Sequence, residues 1–178
     1  MDTANENYRR WLCHVTDEEM LSQLKKMTAE EIEDAFYRDL EFGTGGMRGK
    51  MGPGTNCLNV YTIAGATEGL ARYMKAHGFG TAVITYDSRL HSREFSQKTA
   101  AVLATDGITV YLTDDCMPTP FLSFAIRALG ADIGINITAS HNPKEYNGYK
   151  VYDATGCQVL DGVAREITGY IEKVDPFG

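Results

Sequence analysis

Three short apolar runs separated by helix-length segments constrain this fold more than any other feature. They are Thr81-Ala82-Val83-Ile84-Thr85-Tyr86, Ile108-Thr109-Val110-Tyr111-Leu112 and Ala131-Asp132-Ile133-Gly134-Ile135-Asn136-Ile137. Runs this short, rich in β-branched residues, read as strands, the first and third of them buried. Between the first two, Phe95, Ala100, Val102 and Leu103 mark a helix ending near Gly107. Between the second and third, Pro118-Thr119-Pro120 opens a helix carrying Phe121, Leu122, Phe124 and Leu129. Strand-helix-strand-helix-strand predicts parallel strands joined by right-handed crossovers. Upstream, Thr62 is placed to cap a helix through Leu70, Tyr73 and Met74 that stops at Gly78. Downstream, residues 148–152 are β formers close behind the third strand, which predicts an antiparallel strand at a sheet edge. Residues 164–174 read as a closing helix and residues 175–178 as the start of a linker. The expected architecture is a three-layer α/β/α domain with a mostly parallel sheet, an antiparallel edge strand and an N-terminal helical extension.

The extension spans residues 1–40 and the α/β domain residues 41–178. Tyr8, Trp11, Leu12 and Val15 share one helical face; Asp17 can cap a second helix presenting Met20, Leu21 and Leu24. Thr28-Ala29-Glu30-Glu31 fits a capping box ahead of Ile32, Ala35, Phe36 and Leu40. These residues read as scaffold.

A net charge of −7 argues against a general nucleic-acid or membrane-surface binder. Residues 43–54 nevertheless contain Arg48 and Lys50 and no acid, so a locally cationic segment hides in an acidic chain. Cys13, Cys57, Cys116 and Cys157 form no Cys-x-x-Cys pair, and no apolar stretch approaches the ~20 residues that span a bilayer. Met1 to Glu6 lack the basic start of a signal peptide. The expectation is a cytoplasmic protein with free thiols.

Two segments carry chemistry. The third strand leads into Thr138-Ala139-Ser140-His141-Asn142-Pro143-Lys144-Glu145-Tyr146-Asn147-Gly148-Tyr149-Lys150. Ligands bind beyond the carboxyl ends of strands in open α/β sheets, so Ser140 is well placed for a site. The residues alone leave two readings. Asn-Pro and Asn-Gly are ordinary turn dipeptides. Alternatively, a serine near His141, Lys144, Lys150 and turn amides suits a bound phosphoryl group. Serine hydrolysis is disfavoured, because no Gly-x-Ser-x-Gly elbow is present. The second segment, Glu41-Phe42-Gly43-Thr44-Gly45-Gly46-Met47-Arg48-Gly49-Lys50-Met51-Gly52-Pro53-Gly54, fails the Walker and dinucleotide templates. It reads as a loop whose glycines let backbone approach an anion while Arg48 reaches it.

Together, Ser-His-Asn-Pro with Asn-Gly-Tyr-Lys behind it and the Phe-Gly-Thr-x-Gly-x-Arg-Gly-like segment resemble the α-D-phosphohexomutases, the phosphoglucomutase and phosphomannomutase family. The resemblance covers about residues 40–152 and is nearest the long bacterial phosphoglucomutase and phosphopentomutase branch. It implies the N-terminal domain of a four-domain enzyme interconverting sugar 1-phosphate and sugar 6-phosphate through a phosphoserine and a bisphosphate. By resemblance, Ser140 carries the phosphoryl group, Lys150 is the general base, and Arg48 and His141 contact the phosphoserine or the reacting group. Thr44, Arg89 and Asn142 are expected at the phosphate or substrate, with Asn142 shaping the loop. Mg²⁺ is implied as cofactor, touched from this chain only through the phosphate on Ser140. No Asp-x-Asp-x-Asp-Arg metal loop and no Gly-Glu-x-Ser-Gly-His sugar loop occurs in this sequence. The polypeptide is therefore expected to continue beyond Gly178, and this chain alone to be inactive. Expected partners are sugar phosphate, sugar bisphosphate and the remaining domains of the same polypeptide, with no nucleic acid and no membrane. The alternatives are a phosphopentomutase, a phosphomannomutase, or a non-catalytic sugar-phosphate-binding domain.

Overall fold

The structure, a computed structural model, describes residues 3–177. A six-stranded sheet has the spatial order β1 (Phe42–Gly43), β2 (Gly46–Lys50), β6 (Tyr146–Asp153), β5 (Ile133–Ile137), β3 (Thr81–Tyr86) and β4 (Thr109–Leu112). The three apolar runs lie side by side as the parallel set β5-β3-β4. Helices α4 (Val60–Ala76), α5 (Ser92–Thr105) and α7 (Asp161–Ile171) bury Leu70, Met74, Leu103 and Ile167 against Ile84, Ile135, Tyr149 and Val151 of one sheet face. Helix α6 (Thr119–Leu129) covers the other face, setting Leu122 and Ile126 on Val83 and Tyr152. Each fully buried Leu or Ile contributes roughly 1.5–3 kcal/mol. Gly134 on β5 makes room for α6, since a Cβ there would sit 2.2 Å from Ile126.

The sheet differs from expectation in one half. Residues 148–152 do form an antiparallel strand, yet β6 is interior, paired with β5 on one side and β2 on the other. Parallel and antiparallel pairings therefore share a mixed sheet, and β1, not β6, is the antiparallel edge. The reason lies in the glycine-rich segment, which forms the β1–β2 hairpin and not a loop. Gly45 turns the hairpin with φ +78°, and Gly46 lets β2 close on β6, where a Cβ would meet the Tyr149 carbonyl oxygen at 1.9 Å.

The first helices are α1 (Thr3–His14), α2 (Glu18–Leu24) and α3 (Ala29–Phe36). Met20 N–H donates to Asp17 Oδ1 at 2.7 Å, and Thr28 and Glu31 exchange the capping-box bonds. Trp11 centres a separate apolar cluster and meets Phe36, Tyr61 and Phe177 edge-on at ring separations of 5.5–5.6 Å. The 175–177 segment is thus docked rather than free, and Asp175 pairs with Arg10 at 2.5 Å. The cap of α4 is Asn59, not Thr62: Asn59 Oδ1 accepts from the Tyr61 and Thr62 amides, and Thr62 Oγ1 accepts from Asn59 N–H. No helix among the described residues is long and apolar enough to cross a membrane, and all four cysteines are unpaired.

Candidate active site

The carboxyl ends of β3 and β5 sit together, tied by an Asp87 N–H bond to the Ile137 carbonyl. Beyond them, residues 138–145 join β5 to the antiparallel β6 as a tight loop. Thr138 N–H donates to the Gly148 carbonyl at 2.9 Å, and Thr138 Oγ1 accepts the Ser140 amide at 3.0 Å. Asn142 N–H turns back to Ala139, and Tyr146 N–H to Pro143. Ser140 stands exposed with φ +57°, a left-handed conformation that non-glycine residues rarely hold. Such strain concentrates at ligand clamps and reactive groups.

Alternation along β6 sends Asn147, Tyr149 and Val151 toward the α4 face and leaves Lys150 on the opposite one. There Lys150 Nζ donates to Ser140 Oγ at 2.6 Å. Partial burial of the ammonium and then the nearby Arg48 guanidinium lower the lysine's pKa from its ordinary value, partly offset by Asp87. Arg48 arrives on strand β2. Its register opposite Gly148, with Gly46 opposite Lys150, makes Arg48 and Lys150 diagonal neighbours on one face. The Arg48 guanidinium has no carboxylate partner among the described residues.

The other expected residues divide. His141 is exposed beside Ser140, its ring making no hydrogen bond among the described residues. Asn142 shapes the loop through its main chain, and its side-chain Oδ1 is buried without a partner. Arg89 is beside the loop: its Nη atoms donate to the carbonyls of Ser140, Asn142, Pro143 and Tyr146, and its Nε faces Asp87. Thr44 sits in the β1–β2 turn, and its hydroxyl donates to Asp161 at the start of α7.

Sequence reasoning missed Thr138, Ser92 and Asn147. Asp87 Oδ1 accepts from Ser92 Oγ, whose oxygen accepts from the buried Asn147 Nδ2 at 2.9 Å. Asn147-Gly148 is therefore strand, not turn. The available signal was an asparagine on the core-facing parity of a strand, which must find partners there. No group of three or more His, Cys, Asp or Glu side chains clusters among the described residues. What the arrangement can do is hold an anion on Ser140 Oγ beside two cations and move a proton at that oxygen.

Comparison with known proteins matches this chain to a family. A family model described as phosphoglucomutase/phosphomannomutase, α/β/α domain I, matches residues 39–177. The phosphoglucomutase of Staphylococcus aureus (strain bovine RF122 / ET3-1) is 46% identical over 169 residues, covering 94% of this chain and 31% of the relative. That of Staphylococcus epidermidis is 43% identical over 162 residues, covering 90% and 30%. Among solved structures, a protein assigned as a phosphomannomutase from Thermus thermophilus aligns with a TM-score of 0.72 at 33% identity, covering 79% of this chain and 32% of its own. A phosphoglucomutase/phosphomannomutase family protein from Burkholderia thailandensis aligns with a TM-score of 0.63 at 25% identity, covering 74% and 29%. This chain thus spans about a third of the length of the relatives it matches. With the domain model covering nearly all of the α/β layer, the chain belongs to the phosphoglucomutase/phosphomannomutase family, as its α/β/α domain I.

Proposed function

We propose that this chain is the phosphoserine domain of a phosphoglucomutase-like enzyme, in which Ser140 carries the transferred phosphoryl group. The observation that carries the reading is the 2.6 Å bond from Lys150 Nζ to Ser140 Oγ, made on a face where Arg48 has no acidic partner. A phosphoserine brings about −1.5 to −2 charges. Lys150, Arg48 and His141 would balance it. In the transfer, a sugar hydroxyl oxygen attacks phosphorus and the bond to Ser140 Oγ breaks. Lys150, as the neutral amine, takes the hydroxyl proton and returns one to the serine oxygen. The product is a sugar bisphosphate, and the reverse step with its other phosphate restores phosphoserine and releases the isomeric monophosphate. Positioning and charge stabilisation supply most of such a barrier reduction.

Magnesium is implied by the family resemblance, but this chain's residues do not build its site. Asp87, the carboxylate beside the loop, is held by Arg89 and Ser92. A serine phosphate would contribute one oxygen where a hard cation takes about six. The remaining ligands, the sugar-reading groups and the catalytic partners belong to further domains of the polypeptide. Residues 1–40 act as a helical extension of this first one. Glucose phosphate is the favoured substrate ahead of pentose or mannose phosphate, and the four unpaired cysteines suit the cytoplasm. The test is a panel of sugar 1-phosphates on the intact polypeptide and on its Ser140→Ala variant. Turnover lost in the variant, with glucose 1-phosphate the best substrate, is expected. Unchanged turnover in the variant would overturn the assignment.

A further inference from the structure

Arg89 stands at the carboxyl end of β3, and its guanidinium carries five N–H donors in a planar fork. Nη2 donates to the carbonyls of Ser140 at 2.8 Å and Asn142 at 2.7 Å, and Nη1 to those of Pro143 at 3.0 Å and Tyr146 at 3.1 Å. Nε faces Asp87 Oδ2 at 3.4 Å, and only 17% of the side chain is exposed. Four of the five N–H donors are thus taken by loop carbonyls, and the fifth faces a carboxylate. Asp87 is itself fixed, because its Oδ1 accepts from the Arg89 amide at 3.0 Å and from Ser92 Oγ at 2.7 Å. Asn147 then ties Ser92 and the Leu90 carbonyl to the first residues of β6.

A loop that must hold a dianion has one electrostatic hazard, its own carbonyl oxygens. Here four of them converge on a single cation. The amides of His141, Lys144 and Glu145 meanwhile have no acceptor among the described residues. The left-handed backbone of Ser140 is a conformation that persists only where its surroundings impose it. Two of the four carbonyls belong to Ser140 and Asn142, on either side of His141.

We propose that Arg89 is a positioning residue for phosphoryl transfer: it gathers the carbonyls of the serine loop, turning the loop's amides to the anion and holding Ser140 Oγ on Lys150. The inference rests on the reading of Ser140 as phosphoryl carrier. It differs from a phosphate-ligand role because four of the five guanidinium donors are committed to loop carbonyls and the fifth faces Asp87. A lysine cannot substitute, since one ammonium cannot span four separated carbonyls.

The experiment compares Arg89→Ala, Arg89→Lys and Asp87→Asn in the intact polypeptide, with hydrogen exchange on the 178-residue chain. Both Arg89 variants are expected to lose about 100-fold in kcat with KM within a few-fold, the scale of a misplacement near 1 Å. Millimolar guanidinium ion should restore part of the activity of Arg89→Ala. Exchange should accelerate in residues 138–146 while β3 and β5 stay protected. Asp87→Asn, which keeps the four carbonyl bonds, should show a smaller loss in kcat and keeps the test open if the alanine variant does not fold. Near wild-type kcat in Arg89→Lys, a loss confined to KM, or unaltered loop exchange would overturn the proposal. If wild-type protein bears no phosphate on Ser140 and Ser140→Ala retains turnover, the functional reading fails instead, and the exchange measurement still decides whether Arg89 braces the loop.

Discussion

Gly148→Ala probes how the sheet positions the serine. Gly148 lies on β6, beneath the start of the loop, and its carbonyl accepts the Thr138 amide at 2.9 Å. A Cβ at this position would stand 2.6 Å from the Thr138 carbonyl oxygen and 3.1 Å from that of Met47. The first distance is about 0.8 Å inside ordinary contact at 3.4 Å, and both obstacles are backbone. Neither can swing aside as a side-chain tip would. Overpacking of this kind costs roughly 1–3 kcal/mol, which for a chain of this size lowers Tm by roughly 2–12 °C. The displaced residue, Thr138, also holds the Ser140 amide through Oγ1. The shift therefore passes to Ser140 and its bond to Lys150, and a loss of about 10- to 100-fold in kcat is expected. Thermal unfolding of the chain and steady-state kinetics of the intact polypeptide measure the two effects. Gly169→Ala is the control. It lies in α7 with nothing within 4 Å of the added methyl, and should stabilise by up to about 1 kcal/mol with kcat unchanged. A Gly148→Ala protein with wild-type Tm and kcat would refute the argument that this close approach positions the loop.

Three further outcomes follow from the geometry. By NMR titration, the Lys150 ammonium should lose its proton below the ordinary lysine range, and Arg48→Met should move that midpoint upward by removing a like charge; a midpoint indifferent to Arg48 would separate the two residues. Thr44→Val should cost about 0.5–1.5 kcal/mol through its lost bond to Asp161 and leave kcat/KM within a few-fold, whereas a collapse in kcat/KM would return Thr44 to the phosphate site. Trp11→Ala should destabilise the chain by about 3–5 kcal/mol in urea unfolding, because Trp11 is fully buried among Phe36, Tyr61 and Phe177; an unchanged midpoint would mean the extension is not integral.

Of the parallel half, β3 and β5 were legible because each is a mostly apolar run of the kind two-sided burial demands. Strand β4 is an exposed edge, legible by its β-branched and aromatic residues between two helices. Ser140 and Lys150 were legible through their motif, and alternation along β6 correctly kept Lys150 off the core face. The other half was hidden by composition. Gly46 and Gly148 have low strand propensity, and they form strands here because two backbones approach where a Cβ would not fit, while Gly49 makes room for the Leu40 side chain. Hence the hairpin was read as a loop and β6 as an edge. Arg89 was legible as a cation beside the serine loop, but its four carbonyl acceptors were not, because main-chain acceptors leave no mark in a side-chain pattern. The Thr62 cap failed by register alone, since in a reciprocal capping box the partner at the third helical position is as polar as the cap itself.

The central claim, that Ser140 is the phosphoryl carrier, is tested most directly by mass spectrometry of the intact polypeptide purified without phosphatase treatment. The added mass of one phosphoryl group is expected, mapping on digestion to the peptide that contains Ser140, absent from Ser140→Ala and discharged when sugar monophosphate is supplied. An active enzyme with no phosphate on that peptide, or a phosphate there that persists unchanged through turnover, would contradict it.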